Sequence, residues 1–196
     1  IIPVDVYMGV DLAHTATKSS DYQVIMIMGI DANKNRYVID YYHDKIPAFD
    51  MPDKILEYAK KYAPIKRVAV ETVGAQEMVR DMVERLAVRE KRLLPGINKG
   101  VRQTHGIKKE DRLEMTLGSI VNGRKLLITK EHSELVDELF QFPKGRHDDL
   151  LDGLYYSDFY AKPPRTKTME IDNNERPDDF ITKTRKQINW VTGLKV

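Results

Sequence analysis

Three runs of apolar and β-branched residues at the start of the chain most constrain its fold. They span residues 4–13, 22–30 and 36–42. A polar loop separates the first two runs, and the turn-forming residues 31–35 separate the last two. Strands that are joined by such short connections pair with their neighbours, so the pattern predicts an antiparallel meander.

The rest of the chain alternates between helical and strand-like patterns. Residues 67–72 form a short buried run that predicts a fourth strand. Residues 93–97 and 125–128 are further candidate strands. Apolar residues at helical spacing predict helices over 50–62, 76–89, 109–121, 131–140 and 147–160. The order predicts an α/β domain in which a mixed sheet, with three antiparallel strands followed by parallel strands, is flanked by helices.

Length and composition narrow the class of protein. The 196 residues suit one domain, which we expect over residues 1–161, followed by a polar and partly disordered tail over 162–196. The absence of cysteine excludes disulfides, a cysteine nucleophile and a thiolate metal site. No apolar run approaches the roughly 20 residues that span a bilayer. The start, Ile1-Ile2-Pro3, is not a signal peptide and lacks an initiator Met, so we expect an excised fragment.

The formal net charge of +2 is unevenly spread along the chain. Residues 89–112 carry a net charge of +5 and residues 162–196 a net charge of +3, so the remainder carries −6. A basic stretch beside an acidic remainder is typical of a protein that holds an anion near clustered carboxylates. An ordinary solvated surface is the alternative interpretation.

Several carboxylates lie where the pattern predicts buried or helical structure. Asp11 lies in the first strand and Glu71 near the end of the fourth, although either could be a residue of a strand edge or turn. An ionised carboxylate in a buried strand is costly unless it is paired or bound to a metal. Asp148, Asp149 and Asp152 share a helical sector about 100° wide, which the helix dipole alone could also explain.

Together these carboxylates predict a cation site. Their oxygens are the ligands that suit Mg²⁺ and Mn²⁺. Two such cations about 4 Å apart can activate a water and stabilise the leaving oxygen in phosphodiester hydrolysis.

At these positions the chain resembles the nuclease domain of the large terminase subunit of tailed bacteriophages, which has the ribonuclease H-like fold of Holliday-junction resolvases. The resemblance covers about residues 4–161. The matching pieces are Gly9-Val10-Asp11-Leu12-Ala13, Ser20-Asp21-Tyr22, Val70-Glu71, Lys109 with Arg112, and Phe142-Pro143-Lys144-Gly145-Arg146-His147-Asp148-Asp149-Leu150-Leu151-Asp152-Gly153-Leu154. Gly153 stands where the family usually has Ala.

The resemblance implies roles for the carboxylates. Asp11 would bridge two divalent cations, Glu71 would bind one of them, and Asp149 would bind the other. Asp148 is the neighbouring acid, and the choice of direct ligand between it and Asp149 stays open. Asp152 matches the second acid of the resolvase Asp-x-x-Asp pattern. Two further residues have weaker assignments: Asp21 is an additional candidate ligand, and His147 is either a residue that orients a carboxylate or a surface histidine.

The basic loop over residues 98–108 lies where the family has a hairpin beside its active site. We expect a group of cations to contact DNA phosphates there, which gives affinity without reading sequence. The group comprises Lys99, Arg102, Lys108, Lys109 and Arg112. A solvated loop is the alternative.

The resemblance implies a metal-dependent endonuclease that cuts concatemeric double-stranded DNA during viral genome packaging, with Mg²⁺ or Mn²⁺. The expected partners are DNA, an ATPase motor domain of the same polypeptide, the portal and the small terminase subunit, in the cytoplasm of the infected bacterial host; no membrane is expected. The chain has no phosphate-binding loop of the Gly-x-x-x-x-Gly-Lys-Ser/Thr type, so ATP is not expected to bind.

Trp190 is either a docking anchor or a residue packed on the domain. A resolvase- or transposase-like nuclease and a catalytically silent DNA-binding or docking module are alternative functions.

Overall fold

A mixed β-sheet forms the centre of the computed structural model, which describes residues 2–12, 22–71, 76–101 and 106–165. Its strands are β1 (Asp5–Asp11), β2 (Gln23–Ile30), β3 (Arg36–Asp44), β4 (Ile65–Val70) and β5 (Leu126–Leu127). Within the described residues they lie in the order β4-β1-β2-β3-β5. Strands β1, β2 and β3 are antiparallel neighbours, whereas β4 is parallel to β1 and β5 is parallel to β3. The predicted α/β class and mixed sheet are confirmed.

Helices cover both faces of this sheet. They are α1 (Met51–Lys61), α2 (Gln76–Arg89), α3 (Lys109–Leu113), α4 (Ser119–Asn122), α5 (Ser133–Gln141) and α6 (Asp149–Phe159). A π-helical turn, Glu114–Gly118, joins α3 to α4, so the helix predicted over 109–121 is one helical segment with a widened middle. The 3₁₀ turns Ala48–Asp50 and Lys130–His132 precede α1 and α5.

The alternation of side chains along β1 assigns residues to the two faces. Met8 and Val10 belong to a buried apolar cluster with residues of α1 and α2. The intervening Gly9 lies against α6 on the other face. On that face Val24 and Met26 of β2 pack in a second cluster with residues of α3, α5 and α6. Every second residue from Gly9 therefore faces α6, and Asp11 is the next in that series.

The strand predicted over residues 93–97 was wrong. Pro95 has no N–H to donate to a sheet ladder, and Gly96 has a φ of +88°, which belongs to a turn. The segment still lies along β4, because Val68 donates its N–H to the carbonyl oxygen of Pro95 at 2.8 Å. The candidate strand over 125–128 is confirmed as the two-residue β5.

The described part of the chain contains no helix that is long and apolar enough to cross a bilayer. The residues from Val4 to Pro164 cluster as one unit. Arg102, Asp21 and Trp190 lie outside the described residues, as does the tail from residue 166 onward. The division into a domain over 1–161 and a tail over 162–196 therefore stays a prediction.

Candidate active site

Asp11 and Glu71 lie side by side at one edge of the sheet. Val10 of β1 pairs in parallel with Val70 of β4, so the residues that follow them meet at the carboxyl ends of the two strands. The Glu71 N–H lies 3.4 Å from the carbonyl oxygen of Val10, and Glu71 is 2% exposed. Beyond β4, Val101 extends the sheet through a parallel bridge with Glu71. The two strand carboxylates therefore share one corner of the sheet, where Glu71 is buried and Asp11 is half-buried.

Two glycines let α6 approach this corner closely. A Cβ atom on Gly9 would lie 2.3 Å from both the carbonyl oxygen of Gly153 and the backbone nitrogen of Ser157. A Cβ atom on Gly153 would lie 2.6 Å from Cγ1 of Val24. Neither distance is compatible with normal van der Waals contact, so the helix backbone touches the sheet here. The glycine at position 153, where the family usually has Ala, fits this approach.

Glu138 on α5 fixes the N-terminus of α6. Its Oε2 atom accepts hydrogen bonds from the backbone N–H groups of Leu150 at 3.0 Å and Leu151 at 3.2 Å. These are among the donors that a helix start leaves without partners, so the carboxylate caps the helix. Burial raises the pKa of Glu138 to about 7, and Asp149 adds to that rise. Sequence analysis missed this residue, although its place on the buried face of α5 beside Leu135 was a signal.

The carboxylates at the corner affect one another electrostatically. Burial raises the pKa of Asp11 well above its usual range, and Asp152, Glu71 and Asp149 each raise it further. Burial also raises the pKa of Asp152 to about 6, against the opposing effect of Lys109. Asp152 is 4% exposed, so little water screens its charge. A group of carboxylates that repel one another in a buried corner favours the binding of cations.

Two basic side chains of α3 face Asp152. The ammonium group of Lys109 donates to Oδ1 of Asp148 at 2.7 Å and also contacts Oδ2 of Asp152. Nη2 of Arg112 lies 3.6 Å from Oδ1 of Asp152, and its guanidinium lies 4.9 Å from the ring centroid of Tyr155. Arg112 is 7% exposed and is thus an interior residue. Lys109 and Arg112 were both expected to contact DNA, and here both contact carboxylates.

The remaining predicted cations lie on the surface. Lys99 and Lys108 are exposed. Lys99 lies two residues before Val101, the neighbour of Glu71 in the sheet, and Lys108 directly precedes α3. The structure therefore brings Lys99 to the β4 side of the carboxylates, and Lys108 lies at the start of α3.

The donor set fits hard divalent cations in its chemistry, because the candidate ligands are carboxylate oxygens. Within the described part of the chain, the buried Oδ1 of Asp152 has no hydrogen-bond partner, and Nη2 of Arg112 lies 3.6 Å from it. Among the described residues, no three acidic or histidine side chains are arranged so that they could hold a metal ion. The positions of Asp148 and Asp152 are set instead by the ammonium group of Lys109.

The architecture is that of the ribonuclease H-like class: a central mixed sheet with helices on both faces. The acidic corner is the candidate site of this fold. A family model described as the terminase RNaseH-like domain matches residues 8–157, well over half of the chain. The chain belongs to this family. No curated protein matches its sequence significantly.

Solved structures show the same fold. The large terminase nuclease from thermophilic phage G20c, solved with bound zinc, is 13% identical, with a TM-score of 0.60 over 81% of this chain and 82% of that chain. The yeast mitochondrial Holliday junction resolvase Ydc2 is also 13% identical, with a TM-score of 0.50 over 80% of this chain and 78% of that chain. These likenesses establish the fold.

Proposed function

We propose that this chain is the nuclease of a phage large terminase, a metal-dependent endonuclease that cuts concatemeric double-stranded DNA during genome packaging. Membership of the terminase RNaseH-like family supports the reaction class. The observation that carries the proposal is the shared corner of Asp11 and Glu71, which α6 approaches through Gly9 and Gly153. Burial and the neighbouring carboxylates raise the pKa of Asp11, an arrangement that is costly for a fold and useful to an enzyme.

Asp11, Glu71 and Asp149 would hold two divalent cations, Mg²⁺ or Mn²⁺, with Asp148 or Asp152 completing the set. Each of them provides the oxygen ligands that these ions prefer. Bound cations would supply an activated water and stabilisation of the leaving oxygen. Asp21, which lies outside the described residues, is a further proposed ligand.

The other residues of the corner would position these ligands and the substrate. Glu138 holds the start of α6, and hence Asp149, through its two bonds to backbone N–H groups. Arg112 fixes Asp152 from the interior, and its burial favours this positioning role over a contact with DNA. Lys99, on the β4 side, and Lys108, at the start of α3, are exposed and would contact phosphates together with Arg102.

The proposed setting follows from the same family. The nuclease would act together with an ATPase motor domain of the same polypeptide, the portal and the small terminase subunit, in the cytoplasm of the infected host. The nuclease domain would comprise residues 1–161. ATP would bind to the motor domain and not to this chain.

Cleavage of supercoiled plasmid by the purified chain tests the proposal. We expect nicked and linear products with Mg²⁺ or Mn²⁺ and none with EDTA, because the carboxylates would act through bound cations. Cleavage that continues in EDTA would refute the metal dependence. A parallel assay on a four-way junction separates the resolvase alternative, for which the junction would be cut in preference to linear duplex. Metal-independent DNA binding with no cleavage of either substrate would support the silent module.

A further inference from the structure

A cluster of aromatic and basic side chains lies at the same edge of the sheet as the carboxylates, on their β3 side. We refer to Tyr22, His43, Lys45 and His147, with the exposed Lys144 and Arg146 just before His147, as the Tyr22 patch. Asp11 pairs with Val24, and Val24 pairs with His43, so these three residues form one row across β1, β2 and β3. Strands lie about 4.8 Å apart, which places the backbone of His43 about 10 Å from that of Asp11.

Ring contacts hold Tyr22 at the centre of this patch. Its ring centroid lies 4.1 Å from that of His43 and 5.7 Å from that of His147, which it meets edge to face. The ammonium group of Lys45 lies 4.6 Å from the Tyr22 centroid, a cation–π distance. Nδ1 of His43 lies 3.1 Å from a carboxylate oxygen of Glu134, which anchors the patch to α5. These contacts link Tyr22 to the end of β3, to α5 and to the segment before α6.

The patch is continuous with the proposed catalytic carboxylates. Nδ1 of His147 lies 3.6 Å from Oδ2 of Asp149. His147 is exposed, as are Lys144 and Arg146 just before it and Lys45 across the patch. Among the described side chains, no ion pair involves Lys45, Lys144 or Arg146. These cations are available to an anionic partner.

Three carboxylates border the patch. Asp44, which precedes Lys45, accepts the backbone N–H of Lys45 at 2.7 Å. Glu134 contacts His43, and Asp149 lies beside His147. The patch thus presents Lys45 over the ring of Tyr22, with carboxylates beside it that each have a polar neighbour.

We infer that the Tyr22 patch contacts backbone phosphates of DNA on the β3 side of the carboxylates. This inference rests on the proposed nuclease function, and it adds a second DNA contact opposite Lys99. The sheet order sets the geometry, because Val101, β4, β1, β2 and β3 follow one another across the edge. Four strand spacings of about 4.8 Å span about 19 Å, or roughly six base pairs at 3.4 Å each. The carboxylates lie between the two contacts, so the DNA would be held on both sides of the cut.

Binding of a short fluorescent DNA duplex in EDTA tests this inference without any cleavage. The variants are Lys45→Gln, Arg146→Gln and the double variant of the full chain. Lys66→Gln is the matched control, because Lys66 is the second residue of β4, at the opposite end of the strands and beside Asp5. Each lost phosphate contact should lower the magnitude of the slope of log affinity against log salt by about 1, and the double variant should lower it by about 2. Lys66→Gln should keep the wild-type slope.

The outcomes separate this inference from the proposed function. If the wild-type chain binds DNA but Lys45→Gln, Arg146→Gln and Lys66→Gln all keep its salt slope, the Tyr22 patch is not a DNA contact and the proposed function stands. If the wild-type chain binds no DNA at all, the proposed function fails, and the inference fails with it. Circular dichroism of each variant confirms that a change in slope comes from a folded protein.

Discussion

The ammonium nitrogen of Lys109 lies 2.7 Å from Oδ1 of Asp148 and also contacts Asp152. Burial disfavours the charged form of Lys109, but Asp152 and Asp148 outweigh that effect and hold its pKa above the usual range. Lys109 is therefore a permanent positive charge among carboxylates that we propose as cation ligands. A divalent cation and this ammonium group would compete for the same oxygens.

Lys109→Met should increase the affinity of the chain for divalent cations. The substitution keeps most of the side chain and removes the charge that neutralises Asp148 and Asp152, so we expect the Kd for Mn²⁺ to fall about tenfold, which equals about 1.4 kcal/mol. Isothermal titration calorimetry without DNA measures it. Lys108→Met, which changes the exposed neighbour, should leave the Kd within about twofold of wild type. An unchanged or raised Kd for Lys109→Met would show that the ammonium group does not compete with the cation.

Arg112→Met should destabilise the fold with little effect on how DNA binding depends on salt. Removing one partner of a buried ion pair leaves the other charge without compensation, and we expect the free energy of unfolding to fall by about 2–4 kcal/mol. Urea denaturation measures this change. Lys99→Gln should do the opposite, with unaltered stability and a weaker salt dependence of DNA binding. A marked loss of salt dependence in folded Arg112→Met would restore the sequence-based prediction that Arg112 contacts DNA.

Gly9→Ala should be strongly destabilising, because its Cβ would collide with the backbone of α6 at Gly153 and Ser157. Backbone atoms cannot move aside as a flexible side chain can, so we expect a loss of about 3 kcal/mol or more in the free energy of unfolding. Gly118→Ala is the control: its Cβ would lie 3.8 Å from the nearest atom, and alanine should stabilise that helical position by about 0.5–1 kcal/mol. Chemical denaturation compares the two. Equal stabilities would contradict the close contact between β1 and α6.

Glu138→Gln should remove part of the pH dependence of stability. The pKa of Glu138 is raised from its ordinary 4.5 to about 7 in the folded state. The folded state therefore binds more protons than the unfolded state between these values, and the contribution of Glu138 to stability is lost as pH rises through this window. Glutamine can still accept the backbone hydrogen bonds but does not titrate. In EDTA, the melting temperature of the variant should fall less between pH 5 and pH 7 than that of wild type. Equal falls in melting temperature would refute this assignment.

The fold was largely predictable because its strongest signals are local. The runs that became β1, β2 and β3 are short, apolar and separated by turn-forming residues, so their antiparallel pairing follows from the chain itself. The segment 93–97 has a similar apolar start but contains Pro95 and Gly96, whose backbone properties prevent a strand. Apolar content alone did not distinguish a strand from a turn that lies along a sheet.

The sequence indicated candidate residues for the site and not their arrangement. It placed Asp11 in the first strand and Glu71 near the end of the fourth, and the structure shows that these two strands are neighbours. The ion pair of Lys109 with Asp148, the burial of Arg112 and the cap that Glu138 forms on α6 all depend on contacts between distant segments. Such contacts have no signature in the local pattern, because a basic residue near an acidic helix predicts a DNA contact and an internal ion pair equally well.

The most direct test of the proposed catalytic corner compares two substitutions in the same strand. Asp11→Asn removes a carboxylate charge at the carboxyl end of β1, and Asp5→Asn makes the same change at its other end, beside Lys66. We expect the rate of plasmid cleavage with Mn²⁺ to fall at least about 10³-fold for Asp11→Asn, a loss of about 4 kcal/mol of transition-state stabilisation, and to remain within about threefold of wild type for Asp5→Asn. Equal rates for folded Asp11→Asn and wild type would contradict the account.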